Sequence, residues 1–146
     1  MKRSHGGSVR IEQQVAAPPE TVSAYVSDFR HARDWMVGVE NVERLGENDY
    51  KLTIDSPIGK IEPGVRIVEN GPESISWVYT STVEGGGRVD VIPEAGGCLV
   101  SYTGEFHLKR RFLDRAARFV GAERFARTNG ERSLARLKYL MEARRY

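Results

Sequence analysis

The clearest period in the first third of the chain is helical. Val22, Tyr25, Val26 and Phe29 recur at i, i+3, i+4 and i+7, while Glu20, Ser23 and Ser27 fall on the other side, which predicts an amphipathic helix. Pro18 and Pro19 stand where a strand hands over to this helix, and proline suits a first turn because the amide hydrogen it lacks has no partner there. A short second helix is expected from Ala32 to Trp35. Beyond Trp35 the period falls to two, as in Tyr50, Leu52 and Ile54, then Val65 and Ile67, then Ile75, Trp77 and Tyr79. Turn-forming residues punctuate these runs at 46–49, 56–60, 70–73, 85–87 and 94–97, predicting an antiparallel meander.

The last predicted strand shows what the sheet needs. Val100, Tyr102, Phe106 and Leu108 share one face, with Gly104 among them, and Ser101, Thr103, Glu105 and His107 share the other. The apolar face must be covered, and the one long element left to cover it is the C-terminal segment. Over residues 112–144 an unbroken helix would reach about 50 Å, longer than a domain of this size needs, so a break is expected. Thr128-Asn129-Gly130-Glu131 matches a capping box and would start the second half. From there Leu134, Leu137 and Met141 form a stripe that should dock on the sheet. Phe112, Ala116, Phe119, Val120 and Phe125 would cover the other end, as a lid over the mouth of a pocket.

Three passages carry a family likeness: VAAPPETVSAYVSDFRHARDW at residues 15–35, VENVERLGENDYKL at 39–52 and ERSLARLKYLMEA at 131–143. The first is similar to a pattern of apolar strand, small residue, Pro, Glu, then Val, an aromatic, Asp and a distal Trp. The passage at 39–52 is similar to a first hairpin and the one at 131–143 to a closing helix. Together they resemble the START-like (SRPBCC, helix-grip) superfamily, in its polyketide cyclase/dehydrase and lipid-transport branch. The resemblance implies an α+β helix-grip fold: a curved antiparallel β-sheet wrapped around a long C-terminal α-helix, with two short helices after the first strand. It also implies a pocket for a hydrophobic small molecule, and bears on architecture more than on chemistry.

Composition narrows the classes. At 146 residues the chain fits a single domain, which buries about 68–70% of its unfolded surface. We expect a flexible lead-in over residues 1–7 and one ligand-binding domain over residues 8–146. The apolar share of 40% and charged share of 29% are ordinary for a globular protein, and no apolar run approaches the ~20 residues of a membrane span. The opening MKRSHGGS has no apolar stretch behind its basic residues and does not read as a secretory signal, so the cytoplasm is the expected location. A lone cysteine, Cys98, has no internal disulfide partner and is expected to be a buried structural thiol.

Charge is uneven. Residues 109–146 hold 12 of the 22 basic and 4 of the 20 acidic residues, a local balance of +8 against −6 for the rest. Such asymmetry can mark an anionic partner, a membrane surface or nucleic acid. Arg115, Arg118, Arg132 and Arg136 are spread around apolar positions rather than run together, which favours a basic helix lying against an acidic sheet. No nucleic acid partner is expected, membrane-surface contact is a minor reading, and the protein is expected to be a monomer or homodimer.

Candidate chemistry is sparse. Gly85-Gly86-Gly87 lacks the following helix N-terminus that a phosphate loop requires, since Arg88-Val89-Asp90-Val91 continues as a strand; it reads as a hairpin turn. His5, His31 and His107 are scattered and no second cysteine completes a ligand pair, so neither a metal nor a cofactor is expected. Glu105 and Asp90 read as surface charges. What remains is aromatic: Trp35, Trp77, Tyr79 and Tyr102 suit a pocket that holds an apolar ligand and orients it through few hydrogen bonds, and each suits ordinary core equally well. Gly104 adds room for close approach. Phe106, Phe119 and Val120 complete the candidate ligand-binding set with Arg66, which would pair with a ligand carboxylate if it pointed inward; its alternation with Val65 and Ile67 favours the outward direction.

Three functions stay in view. The first is binding of a lipid, isoprenoid or polyketide-like molecule between sheet and helix. The second is an aromatase/cyclase-type enzyme, whose orientation of a reactive chain would be aided about 10²–10⁴-fold by acid–base groups, although no such pair is placed by spacing and no catalytic residue is identified. The third is a basic-helix module for anionic partners, recognisable by salt-sensitive binding. Whether Arg66, Tyr79 and Tyr102 converge in one cavity separates the first two.

Overall fold

A computed structural model of the chain describes residues 6–57, 59–108 and 122–143. Strand β1 (Gly6–Val15) leads into helix α1 (Pro19–Ser27), a 3-10 turn (Phe29–His31) and helix α2 (Ala32–Trp35). Seven further strands follow: β2 (Val39–Arg44), β3 (Asp49–Ser56), β4 (Gly59–Ile61), β5 (Gly64–Asn70), β6 (Ser74–Tyr79), β7 (Val83–Glu94) and β8 (Gly97–Leu108). Helix α3 (Ala122–Ala143) closes the chain. The strands form one antiparallel sheet in the order β1-β8-β7-β6-β5-β3-β2, with β4 paired to β3. The α+β helix-grip architecture expected from the sequence is the one observed. Strand β1 starts at Gly6, two residues inside the expected lead-in, and residues 1–5 lie outside the described residues.

The helical period has the predicted result. Helix α1 begins at Pro19 after Pro18 and buries Val22, Tyr25 and Val26, with Phe29 in the turn beyond. Ser23, expected on the polar side, is buried instead, because its hydroxyl donates to the Pro72 carbonyl in the β5–β6 turn. Asp28 stops the helix and starts the 3-10 turn. Its carboxylate accepts from the Arg30 amide at 3.1 Å and from the Arg30 guanidinium at 2.8 and 2.9 Å.

The Arg30 guanidinium holds the Asp28 carboxyl below its usual range, against a smaller opposing push from burial. A lowered folded value means the stabilisation is complete above the unfolded value of 3.8 and is lost as pH falls through the folded one. Asp28→Ala is expected to cost about 1 kcal/mol at neutral pH. In urea titrations the gap between wild type and variant should narrow below pH 4; a constant gap down to pH 2 would refute the assignment.

Two sequence expectations are corrected here, one in the sheet and one in the final helix. Gly85-Gly86-Gly87 is no turn but part of β7, running antiparallel to both β6 and β8. The turn lies earlier, at residues 80–82, where Thr82 has φ +71. The glycines serve close packing: a Cβ on Gly86 would collide with the Trp77 carbonyl, and one on Gly87 would lie 2.7 Å from Trp77 Cε2. The second correction concerns the final helix. It runs through Thr128-Asn129-Gly130-Glu131 without a break, so the capping box is unused as a cap. Tertiary contacts claim its residues instead: a Cβ on Gly130 would collide with Ile11 Cδ1, so the glycine that costs a free helix about 1 kcal/mol lets α3 lie close on β1.

The stripe of Leu134, Leu137 and Met141 is fully buried against the sheet as expected. At the helix end, the Glu142 carboxylate accepts from the Ala16 amide at 2.9 Å, tying α3 to the end of β1. Phe112, Ala116, Phe119 and Val120, and the lid expected from them, lie outside the described residues. Arg115 and Arg118 lie outside the described residues; Arg124, Arg127, Arg132 and Arg136 are exposed, and among the described residues no ion pair joins α3 to a strand.

Candidate functional site

Between the concave face of the sheet and α3 lies a cavity of about 170 Å³. The sheet supplies Leu52, Ile54, Trp77, Tyr79, Tyr102 and Phe106, and α3 supplies Phe125, Ala126, Asn129, Gly130, Ser133 and Leu134. Trp35 and the residues after α2, Met36, Val37 and Val39, close a third side. A dry apolar space of about 150 Å³ accommodates benzene, so this cavity has room for one six-membered ring.

Period-two alternation brings the aromatics here, and glycines set their height. Gly87 and Gly104 are direct cross-strand partners in β7 and β8. The Trp77 ring lies over the first and the Tyr102 ring over the second, where an added Cβ would lie 2.7 Å from Tyr102 Cζ. The two rings stack at 6.5 Å with an interplanar angle of 24°. Gly104 thus makes room for Tyr102 of its own strand. On its far side Trp77 meets Phe29 edge-on at 5.4 Å.

Most polar groups around the cavity are committed to structure. Asn129 Nδ2 donates to the Val37 carbonyl at 2.7 Å, and the Ser133 hydroxyl donates to the Asn129 carbonyl at 2.7 Å while accepting from the Val37 amide at 2.9 Å. The segment after α2 is thereby clamped to α3. Ser56 donates to the Gly59 carbonyl at 2.6 Å. Burial pushes the Tyr79 phenol up, and a hydrogen bond with Trp77 opposes the shift. Burial also pushes up Tyr102, reinforced by the nearby Tyr79. Both phenols are therefore neutral hydrogen-bonding groups rather than bases, and no carboxylate, histidine or cation is among the described residues that line the space.

Of the residues singled out in the sequence, the structure brings Trp35, Trp77, Tyr79, Tyr102 and Phe106 together around this cavity. Arg66 is not there. It points outward from β5, exposed, and pairs with Asp49 at 2.9 Å, because the buried positions of that strand belong to Val65 and Ile67. Phe119 and Val120 lie outside the described residues. Asn129 and Ser133 were missed as cavity residues; their signal was i, i+4 spacing on the same helix face as Ala126, Gly130 and Leu137. Cys98 is buried, and burial pushes its thiol up, as suits a structural residue. Asp90 pairs with Arg88 at 3.0 Å and Glu105 is exposed. Among the described residues no group of acidic, histidine or cysteine side chains has the arrangement of a metal site, and no helix is long and apolar enough to cross a membrane.

Comparison with known proteins places this geometry. TTHA0849 from Thermus thermophilus is similar in structure with a TM-score of 0.73 and 20% identity, covering 95% of this chain and 99% of its own. A START superfamily protein from Mycobacterium smegmatis gives 0.70 at 15% identity, over 95% of this chain and 97% of that one. The di-domain aromatase/cyclase StfQ of the steffimycin biosynthetic pathway gives 0.71 at 14% identity; 94% of this chain matches 51% of that one. None of the curated proteins matches the sequence. The family model described as polyketide cyclase / dehydrase and lipid transport matches residues 7–142, from β1 to the last turns of α3. With its sheet, grip helix and interior cavity accounted for, the chain belongs to the polyketide cyclase/dehydrase and lipid transport family, whose fold suits hydrophobic ligand binding or cyclase activity.

Proposed function

We propose that this protein binds a compact hydrophobic small molecule in the cavity between sheet and α3, with Trp35, Trp77, Tyr79, Tyr102 and Phe106 as contact residues. The observation that carries the reading is the aromatic lining around a space the size of one ring. Packing against aromatic faces supplies affinity, and a few polar atoms supply orientation. Binding is favoured over cyclisation because the described lining offers only two neutral phenols, whereas moving a proton at neutral pH calls for a group that titrates near it.

The reading is tested with α-methylstyrene, a one-ring hydrocarbon. Titration into the ¹⁵N-labelled protein should give saturable shifts in the indole N–H signals of both Trp35 and Trp77. An absence of saturable shifts would overturn the proposal. Native mass spectrometry of gently purified protein adds the identity of any apolar compound that stays bound.

A further inference from the structure

Tyr102 offers the cavity a hydroxyl that the described residues do not use. Tyr102 makes no hydrogen bond among the described residues, although its ring is enclosed between Gly104 on β8 and Gly130 on α3, 3.6 Å from where a Gly130 Cβ would be. No fully enclosed side-chain nitrogen or oxygen among those residues lacks a partner. The Tyr102 oxygen is therefore reached from the cavity. Around it Ser56, Asn129 and Ser133 donate to backbone carbonyls, while the Tyr79 oxygen accepts from Trp77, whose indole is donor only, and Tyr79 keeps its own O–H near that of Tyr102.

Resting on the cavity reading above, we propose that Tyr102 is the specificity-determining residue of the site, donating its hydroxyl proton to a neutral oxygen acceptor. The ligand class that follows is an uncharged one-ring molecule carrying a carbonyl, with the corresponding carboxylate rejected. A phenol O–H that opens onto an apolar cavity without a protein partner is poorly satisfied, and a ketone oxygen completes it. A carboxylate brings a full charge into a space with no cation among its described lining residues, where one phenol does not replace lost hydration.

Three molecules of nearly the same shape test this: acetophenone, α-methylstyrene and benzoate, titrated into wild type and Tyr102→Phe. Loss of the hydroxyl is expected to weaken acetophenone about 3- to 10-fold and to leave α-methylstyrene unchanged or tighter, which also shows that the variant is folded. In wild type, benzoate should bind at least about 10-fold more weakly than acetophenone. As a second readout, the ¹³C carbonyl signal of bound acetophenone should lie further downfield in wild type than in Tyr102→Phe, because only wild type donates a proton to it. Equal loss for ketone and hydrocarbon would overturn the inference and make Tyr102 a packing residue only. So would benzoate binding as well as acetophenone, or the same bound carbonyl signal in wild type and Tyr102→Phe. Failure of all three molecules to bind would instead bring down the cavity reading, and this inference with it.

Discussion

Gly85→Ala is expected to lower the stability of the fold by about 2–6 kcal/mol, a large share of the roughly 5–15 kcal/mol typical of a domain. Two effects combine. Gly85 has φ +114, where an L side chain is strained by about 1–3 kcal/mol. Its Cβ would also collide with the Glu105 carbonyl of β8, 2.9 Å from the carbonyl carbon, adding about 1–3 kcal/mol of overpacking. The Glu105 backbone cannot yield without breaking the β7–β8 ladder. Gly59 supplies the control, since it has φ +104 but no atom within 4 Å of a Cβ, so Gly59→Ala carries the strain alone. Urea midpoints of the two variants separate strain from collision. If Gly85→Ala were no worse than Gly59→Ala, the strands would not approach as closely as described.

Trp77→Ala is the second large effect, expected at about 3–5 kcal/mol. Trp77 is 4% exposed, lies on Gly87, meets Phe29 edge-on and stacks with Tyr102. Removing the indole leaves these surfaces facing a void that merges with the cavity. Trp77→Phe, which keeps a ring, should recover about half of the loss. The measurement gives the weight of Trp77 in the core, while its ligand contact is read separately from its indole N–H signal. A loss below about 1 kcal/mol would show that Trp77 contributes little to the core.

The elements were legible because each is written in a period. Val22 to Phe29 repeats at helical spacing, and Ile75, Trp77 and Tyr79 alternate, so burial assigned their faces before the fold was known. Arg66 shows the same rule at a single position: flanked by Val65 and Ile67, it had to face outward. What failed was local signals that tertiary packing reassigns. Three successive glycines are as suited to a turn as to a strand that must pass under an indole, and only the position of Trp77 on the neighbouring strand decides. Likewise Thr128-Asn129-Gly130-Glu131 has the composition of a cap, but Asn129 finds Val37 and Gly130 finds Ile11, partners more than ninety residues away. The cavity was legible as a set of aromatic residue types. Its size was not, because volume depends on how near α3 lies to β1, and that distance is set by a missing side chain at Gly130.

The sheet order has a consequence for how the chain reaches this state. Strand β1, the first of the sheet in chain order, pairs with β8, so that Gly6 meets His107 and Val15 meets Cys98, and α3 then covers the same strand. During synthesis β1 leaves the ribosome before its partner, which begins at Gly97, has been made. The meander from β2 to β7 can zip by neighbouring hairpins in the meantime, but joining β1 to β8 requires closing the longest loop in the sheet. Topologies dominated by such distant pairings fold slowly, and Val9, Ile11 and Val15 wait in solvent until that closure is made.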